Sequence, residues 1–158
     1  MSRLMFYAVL GLVVVTLSFR ALAQKIENAK DMKFINIPNA PACLTAAVEQ
    51  GDPTNGPSTL MLKGTAGCDA PMHFHSANEQ LLMVSGKARV EMKGEQPRAL
   101  EPAAFAMAPS KHPHHFTCIS ACQFYLVSDG TFDIHYIDPD GKEISLDRAV
   151  QSGKPGKK

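Results

Sequence analysis

Three residues in the middle of the chain have the types and the spacing of metal ligands: His73, His75 and Glu79. Side chains alternate between the two faces of a β-strand, so His73 and His75 would point the same way and Phe74 the opposite way. Glu79 follows a short polar connection, after which a returning strand could bring its carboxylate beside the two imidazoles. Two imidazoles and a carboxylate on one face of a sheet form part of a site for a divalent transition metal.

A further ligand has to come from elsewhere, and the chain offers a second histidine-rich segment at residues 109–116. This segment holds His112, His114 and His115. All six histidines of the protein lie between positions 73 and 135. Such clustering is hard to explain if histidines only filled the surface or the core, and it therefore favours one shared site.

The first of these segments resembles the first sequence motif of the cupin superfamily. That motif consists of a glycine, five residues, His-x-His, three or four residues, a glutamate, six residues and a second glycine, and every spacing is met. The matching residues are Gly67, His73, His75, Glu79 and Gly86. The resemblance implies a small single-domain bacterial cupin, whose fold is a jelly-roll β-barrel. In some cupin enzymes the corresponding glutamate also takes a substrate proton, so Glu79 is the candidate catalytic residue.

The second histidine-rich segment is only partly similar to the second cupin motif. Pro109 and His114 stand at the right separation, and the resemblance implies that His114 is the fourth metal ligand. Ala103 and Lys111 replace the two glycines of the motif, and Cys118 replaces its asparagine. The glycine at the position of Lys111 usually serves a tight turn that can need a positive φ, so this departure concerns the turn more than the ligand.

The remaining histidines have other expected places. His115 should alternate away from His114, which predicts solvent exposure or a hydrogen bond behind the ligands. His112 is expected in the turn. His135 lies in a strand-like run and is expected to be a surface residue or a satisfied core residue.

The ends of the chain differ in composition from its middle. Residues 1–23 are predicted to be a signal peptide, with a basic start, an apolar run over 4–19 and a cleavage pattern at 21–23. The apolar run is shorter than the ~20 residues of a membrane-spanning helix, although an uncleaved anchor stays an alternative. Residues 24–150 are predicted to form one domain, and 151–158 a basic disordered tail. The protein is therefore expected in the periplasm or outside the cell.

The charge balance gives no reason to expect a nucleic-acid partner. Cleavage would remove Arg3 and Arg20 from the 16 basic residues, which leaves 14 against 15 acidic ones and a net charge of −1. Nucleic-acid binding usually depends on an excess of basic residues. No segment is predicted to bind a membrane once the signal has been cleaved.

Short apolar runs separated by turn residues predict an all-β fold. Residues 87–93 alternate strictly between charged and apolar side chains, and 51–57 is dense with turn formers. No long segment after the signal shows helical periodicity, so a barrel or sandwich is expected, and the cupin resemblance selects the jelly roll. The expected strands are 44–49, 58–63, 79–84, 87–93, 103–108, 116–119, 123–127 and 132–137. The expected cavity wall is Met61, Met83, Val90, Met92, Phe105, Met107, Phe116, Phe124 and Leu126.

Four cysteines would face an oxidising compartment: Cys43, Cys68, Cys118 and Cys122. Four cysteines allow three complete pairings, and the sequence does not choose among them. Cys118 and Cys122 flank a plausible hairpin connection, so a disulfide across that hairpin is the leading hypothesis. The rival hypothesis leaves Cys118 free near the metal.

The resemblance implies one divalent transition metal ion, with iron, manganese, nickel, copper and zinc all compatible with three histidines and one glutamate. A metal-dependent enzyme acting on a small organic molecule is the leading interpretation, with dioxygenase-like chemistry favoured over an isomerase or lyase. The alternative is a metal- or ligand-binding module without turnover, such as a sensor or carrier. A homodimer is also expected on the resemblance, with residues 33–37 as an exchanged strand or an edge strand.

Overall fold

The computed structural model describes residues 25–152, which fold into twelve strands and one helix. The strands are β1 (Ile35–Asn36), β2 (Leu44–Gly51), β3 (Ser58–Gly64), β4 (Asp69–Phe74), β5 (Glu79–Ser85), β6 (Ala88–Met92), β7 (Arg98–Leu100), β8 (Phe105–Ala108), β9 (His114–Cys118), β10 (Cys122–Ser128), β11 (His135–Ile137) and β12 (Glu143–Ile144), and the helix is α1 (Leu146–Ser152). The predicted signal peptide lies outside the described residues. Helix α1 includes the first two residues of the predicted tail, and residues 153–158 are not described.

The strands form two six-stranded antiparallel sheets, which confirms the all-β fold. Sheet A has the order β1-β2-β3-β10-β5-β8, and sheet B has the order β12-β11-β4-β9-β6-β7. Neighbouring strands within a sheet are mostly distant in sequence, as in a jelly roll. All eight expected strands are present with shifted ends, while β7, β12 and the short helix α1 were not expected. No helix among residues 25–152 is long and apolar enough to cross a membrane.

The hydrophobic core lies between the inner faces of the two sheets. Side chains from β3, β5 and β10 of sheet A meet side chains from β4, β6 and β9 of sheet B. Phe116 and Phe124 bring the sheets together across this core, with ring centroids 4.8 Å apart. The buried core includes Leu44, Leu60, Leu62, Met83, Val90, Phe116, Phe124 and Leu126. Burial of such apolar area is the main stabilising contribution in a domain of this size.

Three of the nine expected wall residues face the other way. Phe105 and Met107 are about half exposed, and Met61 is buried outside the core cluster. The register explains the two exposed residues, because Phe105 pairs with Leu82 and Met107 with Gln80 on the face of β5 opposite to Glu79, and Met61 pairs with Tyr125 of β10. Side chains along a strand always alternate between its two faces. Which set faces the core depends on the strand pairing, which the sequence does not show.

Both disulfides close at one end of the barrel. Cys118 and Cys122 are bonded across the connection between β9 and β10, as expected, and Cys43 is bonded to Cys68. Cys118 is therefore not a free thiolate, so the rival hypothesis is wrong. The two bonds are adjacent, because the amide of Cys118 donates to the carbonyl of Cys68 at 2.8 Å. We call this end, with its two cystines, the disulfide end.

Candidate metal centre

Adjacent strands of sheet B bring the candidate ligands together. His73 lies near the end of β4, His75 directly follows that strand, and His114 begins β9. His73 and His114 are cross-strand partners, so their side chains lie side by side on the inner face. Residues close in space but 41 positions apart in sequence are thus joined by the pairing of two strands. We call this end of the barrel the site end.

The three histidines form a compact, buried group. Their nitrogen atoms lie within 4.8 Å of one another, which is close enough to hold one metal ion. The ring centroid of His73 lies 4.9 Å from that of His75 and 4.4 Å from that of His114. All three side chains are almost fully buried. The predicted alternation around Phe74 is confirmed.

Backbone carbonyls set the tautomer of each imidazole. The Nδ1–H of His73 donates to the carbonyl of Pro71 at 2.6 Å, and that of His114 donates to the carbonyl of His112 at 3.2 Å. The Nδ1–H of His75 donates to the carbonyl of Asp133. Each ring therefore keeps Nε2 free of a proton. This is the tautomer that a metal ligated through Nε2 requires.

Burial also keeps these rings neutral. It lowers the pKa of His73 well below its usual value, and the neighbouring imidazoles add to the effect. Burial, followed by the charge of His114, lowers the pKa of His75 to about 4. Burial lowers the pKa of His114 as well. Neutral imidazoles are the form that binds a metal.

Glu79 lies at the first position of β5, beside the histidines. Its Oε2 atom is 3.0 Å from Nε2 of His75, while its buried Oε1 atom has no hydrogen-bond partner among residues 25–152. Burial, followed by the charge of Asp133, raises the pKa of the Glu79 carboxyl well above its usual value. A protonated Glu79 that donates a hydrogen bond to Nε2 of His75 accounts for both the short distance and the raised pKa. A cation placed between the two groups would replace that proton and pair the orphaned oxygen, so the donor set fits a divalent metal.

The loops of the site end are tied together by one asparagine. The Asn78 side chain donates to Asp129 at 2.6 Å and accepts from the amide of Ser110 at 2.8 Å. The Asp129 carboxylate also accepts from the amide of Asn78 at 2.9 Å. Asn78 thus joins the connection carrying His75 and Glu79 to the turn before His114. The sequence showed Asp129 only as part of a turn, and nothing in it indicated this pairing.

Asp133 is a second contributor that sequence reasoning missed. Its carbonyl accepts from the His75 ring, and its carboxylate accepts from the amide of Ser76 at 2.8 Å. The same carboxylate lies 3.2 Å from Nε2 of His135, whose Nδ1 is 3.1 Å from Glu143. His135 is therefore a paired surface residue, as expected.

The two other histidines also lie where they were expected. His115 points away from the core, and its Nε2 atom is 2.7 Å from Oδ1 of Asp69. His112 is in the turn before β9, where its amide donates to the carbonyl of Pro109 at 3.0 Å. Neither side chain belongs to the group of three histidines.

Both replacements of motif glycines adopt the glycine-like conformation. Ala103 has φ 69° and Lys111 has φ 60°. The amide of Lys111 donates to the carbonyl of His75 at 2.8 Å, which attaches the turn to the end of β4. The turn geometry is therefore kept despite a conformational cost of roughly 1–2 kcal/mol per non-glycine residue.

The ligands face a small cavity inside the barrel. Its volume is about 60 Å³. Among the described residues that line it, only the three histidines and Glu79 have polar side chains, and none is a lysine or arginine. Val90, Met92, Phe116, Phe124 and Leu126 belong to this wall, as expected, together with Leu81 and Phe132. Any polar group of a bound molecule has to meet the ligand cluster.

Comparison with known proteins finds likeness in fold more than in sequence. No family model matches the chain. A stretch of 49 residues is 41% identical to dimethylsulfoniopropionate lyase DddQ from Ruegeria pomeroyi. It covers 31% of this chain, and the chain spans about a quarter (24%) of that relative.

Three solved structures show the extent of the likeness. The polyketide cyclase RemF from Streptomyces resistomycificus has a TM-score of 0.69 at 15% identity, over 84% of this chain and 95% of its own. An RmlC-like cupin from Ralstonia eutropha has a TM-score of 0.59 at 15% identity, and the match covers 83% of this chain and 87% of the cupin. The DddQ lyase from Ruegeria pomeroyi has a TM-score of 0.55 at 18% identity, and the match covers 73% of this chain and 61% of the lyase. Together with the complete first motif and the two facing sheets, this likeness shows that the chain has the fold of the cupin superfamily.

Proposed function

We propose that the protein is a metal-dependent enzyme that holds one divalent transition metal ion through His73, His75, Glu79 and His114 and acts on a small organic substrate. The observation that supports this most is the group of three neutral, buried imidazoles beside a buried carboxylate with an orphaned oxygen. Glu79 contacts only His75 among the three. Its place as the fourth ligand is therefore part of the proposal.

A bound ion would supply Lewis acidity, or redox chemistry if it is iron, manganese or copper. The surrounding residues define the rest of the chemistry. The apolar wall excludes water and holds the body of a substrate, while Glu79 would accept a substrate proton when its carboxylate is not bound to the ion. Because none of the described residues that line the cavity has a cationic side chain, an anionic or electron-rich group of the substrate would bind at the metal site.

Dioxygenase-like chemistry on a substrate with a single polar end is the first candidate, because such a substrate suits a wall without hydrogen-bonding groups. A lyase is the second candidate, and the stretch that is 41% identical to a dimethylsulfoniopropionate lyase favours it. A binding module without turnover is favoured by one fact: in the part of the chain that the structure describes, the predicted ligands are the only acids or bases that line the cavity.

The deciding experiment is the metal content of the purified mature protein beside two variants. We expect about one ion per chain in the wild type and in His115→Ala, whose ring faces away from the cluster. We expect at least a tenfold lower content in His114→Ala, because one of the three nitrogens is lost. Equal metal in His114→Ala would remove His114 from the ligand set.

The loaded protein would then be assayed for oxygen uptake with enols and for elimination from dimethylsulfoniopropionate. Oxygen consumption coupled to substrate loss would support the dioxygenase, and release of a volatile sulfide without oxygen use would support the lyase. Stoichiometric metal with neither activity would favour the binding module.

We also propose export to the periplasm or beyond. The two disulfides support it, since such bonds persist in oxidising compartments. Cell fractionation with N-terminal sequencing tests it. The expected mature protein begins at Gln24, and an intact Met1 terminus in the cytosol would contradict it.

A homodimer is the last part of the proposal. Strand β1 lies at the edge of sheet A but has only two residues, so the support comes from the outer face of β5 and β8. Leu82, Val84, Phe105 and Met107 are exposed there and carry no charge, so two copies could meet without like-charge repulsion. Sedimentation at micromolar concentration should show a dimer that Phe105→Glu weakens, and a wild-type monomer would contradict it.

A further inference from the structure

Phe132 separates the cavity at the metal centre from a second, open groove on the surface. Three side chains line both spaces: Ile37, Phe132 and Ile134. The groove has a volume of about 450 Å³, against about 60 Å³ for the cavity. The wall between the two spaces is therefore formed by these shared side chains, and Phe132 is the largest of them.

The cavity is too small for most organic molecules. One water needs roughly 10–15 Å³ of such a volume, and an engineered apolar cavity of about 150 Å³ in another protein accommodates benzene. A space of about 60 Å³ therefore holds a molecule of only about four or five heavy atoms. A larger molecule needs more space, which movement of part of the wall would supply.

The backbone beside Phe132 is held in place at three consecutive residues. The amide of Phe132 donates to the carbonyl of Pro53 at 2.8 Å. The carbonyl of Asp133 accepts from the His75 ring, and the carbonyl of Ile134 accepts from the Asn39 side chain at 2.9 Å. Movement of the whole segment would break all of these hydrogen bonds. The backbone is thus the costly part of the wall to move.

The Phe132 ring is the part that can move without breaking a hydrogen bond. It is half-buried and contacts the His75 ring, with a centroid distance of 5.4 Å. Partly exposed side chains change rotamer on a fast timescale. Rotation of the ring toward the groove would join the two spaces, and the adjoining groove is large enough to receive it.

We propose that Phe132 determines which molecules reach the metal centre. With the ring inward, the cavity admits only molecules of about four or five heavy atoms, and a ligand of benzene size binds only when the ring turns into the groove. The groove is then the route from solvent to the cavity. This inference rests on the proposed function where it concerns substrates, but the size of the cavity can be tested without any substrate.

The experiment measures benzene binding to the full mature protein as purified, and again after chelation. Titration calorimetry or NMR would compare the wild type with Phe132→Ala, Phe132→Leu and a matched control, Phe105→Ala on the outer face. We expect Phe132→Ala to bind benzene at least tenfold more tightly than the wild type. Phe132→Leu should lie between them, and Phe105→Ala should equal the wild type.

Equal benzene affinity in folded Phe132→Ala and the wild type would overturn the inference. Thermal unfolding shows whether Phe132→Ala is folded; if it is not, an unchanged affinity in Phe132→Leu overturns the inference instead. Metal content, measured on the same samples, keeps the two proposals apart. Absence of metal from the wild type as purified would contradict the proposed function and leave the benzene result standing on its own.

Discussion

The two ends of the barrel are held together by different kinds of interaction. At the disulfide end, Cys43–Cys68 and Cys118–Cys122 join the strands covalently. At the site end, hydrogen bonds of Asn78 and Asp133 join the loops that carry the candidate ligands. The comparison shows that the covalent cross-links lie at one end of the barrel, whereas the hydrogen bonds that position the ligands lie at the other end.

Strands β4 and β9 connect the two ends. Strand β4 begins directly after Cys68 and leads to His73, while β9 begins at His114 and ends at Cys118. Each histidine-bearing strand is thus fixed covalently at one end and presents its imidazole at the other. Hydrogen-bonded loops can adjust around a ligand, whereas a disulfide at the ligands themselves could not.

Removal of the disulfides should have the largest effect on stability and little effect on metal binding. Loop-closure entropy predicts a loss of about 3 kcal/mol in the free energy of unfolding for Cys43→Ala with Cys68→Ala. The shorter loop of Cys118→Ala with Cys122→Ala should cost about 2 kcal/mol. The bonds span 25 and 4 residues.

Denaturant unfolding and metal analysis of the two double variants check this prediction. Metal content should stay near one ion per chain under conditions in which each variant is folded. Loss of metal from a folded disulfide variant would show that the two ends are not independent.

Asn78→Ala should have the opposite effect to the disulfide variants: it should weaken metal binding more than it lowers stability. It removes the links from the first ligand connection to Asp129 and Ser110, so the ligands lose part of their positioning. We expect metal affinity to fall by about tenfold, as for other residues that support ligands. Competition with a chelator measures this, and the absorption spectrum of the cobalt form should change with the geometry.

Asn55→Ala is the matched control for Asn78→Ala. Its side chain donates to Asp52 at 2.7 Å in the turn between β2 and β3, and it lines neither the cavity nor the metal site. It should leave metal affinity unchanged. A similar loss in both variants would mean that the effect of Asn78→Ala is general destabilisation.

Lys111→Gly should stabilise the fold slightly. Lys111 has φ 60°, a conformation that costs a non-glycine residue roughly 1–2 kcal/mol, while glycine adds entropy to the unfolded chain. The net gain in the free energy of unfolding should be about 0.5 kcal/mol. Lys142→Gly, in a turn without positive φ, should instead lower stability. A lower free energy of unfolding in Lys111→Gly than in the wild type would mean that the lysine side chain makes stabilising contacts of its own.

The smallest expected effect is a pH dependence at His135. Burial lowers its pKa, but hydrogen bonds to Glu143 and Asp133 and their charges outweigh this, so that the pKa is raised above 6.5. The folded state then binds more protons than the unfolded state between the two values, and stability falls as pH rises. The contribution is complete below the unfolded pKa and is lost as pH passes the folded one.

Chemical unfolding of the wild type and His135→Gln at pH 5.5 and pH 8.5 measures this effect. The wild type should lose more stability between the two conditions than the variant, and salt should reduce the difference because the groups are partly exposed. An equal loss in both proteins would contradict the prediction.

Much of the candidate site could be predicted from local spacing. His73 and His75 share a face because strands alternate, and Glu79 follows a short turn into the next strand. His115 could be set apart from His114 by the same alternation, and His112 was expected in the turn. The spacing of the second motif also identified His114, although both of its glycines are replaced.

The phase of alternation was less predictable at the edge of sheet A. Phe105 and Met107 were expected inside because they are large and apolar, but the register with β5 turns them outward. Residue type alone therefore did not predict which side chains face the core, because this sheet has an exposed apolar face. Such faces can be found only when the strand pairing is known.

The sequence by itself determined the all-β fold and His73, His75 and Glu79 as candidate ligands, because each depends on residues close together in the chain. The spacing of the second motif added His114 as a candidate, and the short β9–β10 connection favoured the Cys118–Cys122 disulfide without deciding the pairing. Only the tertiary structure decided the Cys43–Cys68 pairing, the support of the loops by Asn78 and Asp133, and the place of Phe132 between cavity and groove. These features join segments dozens of residues apart. Their partners are chosen by strand register and packing, which no local pattern encodes.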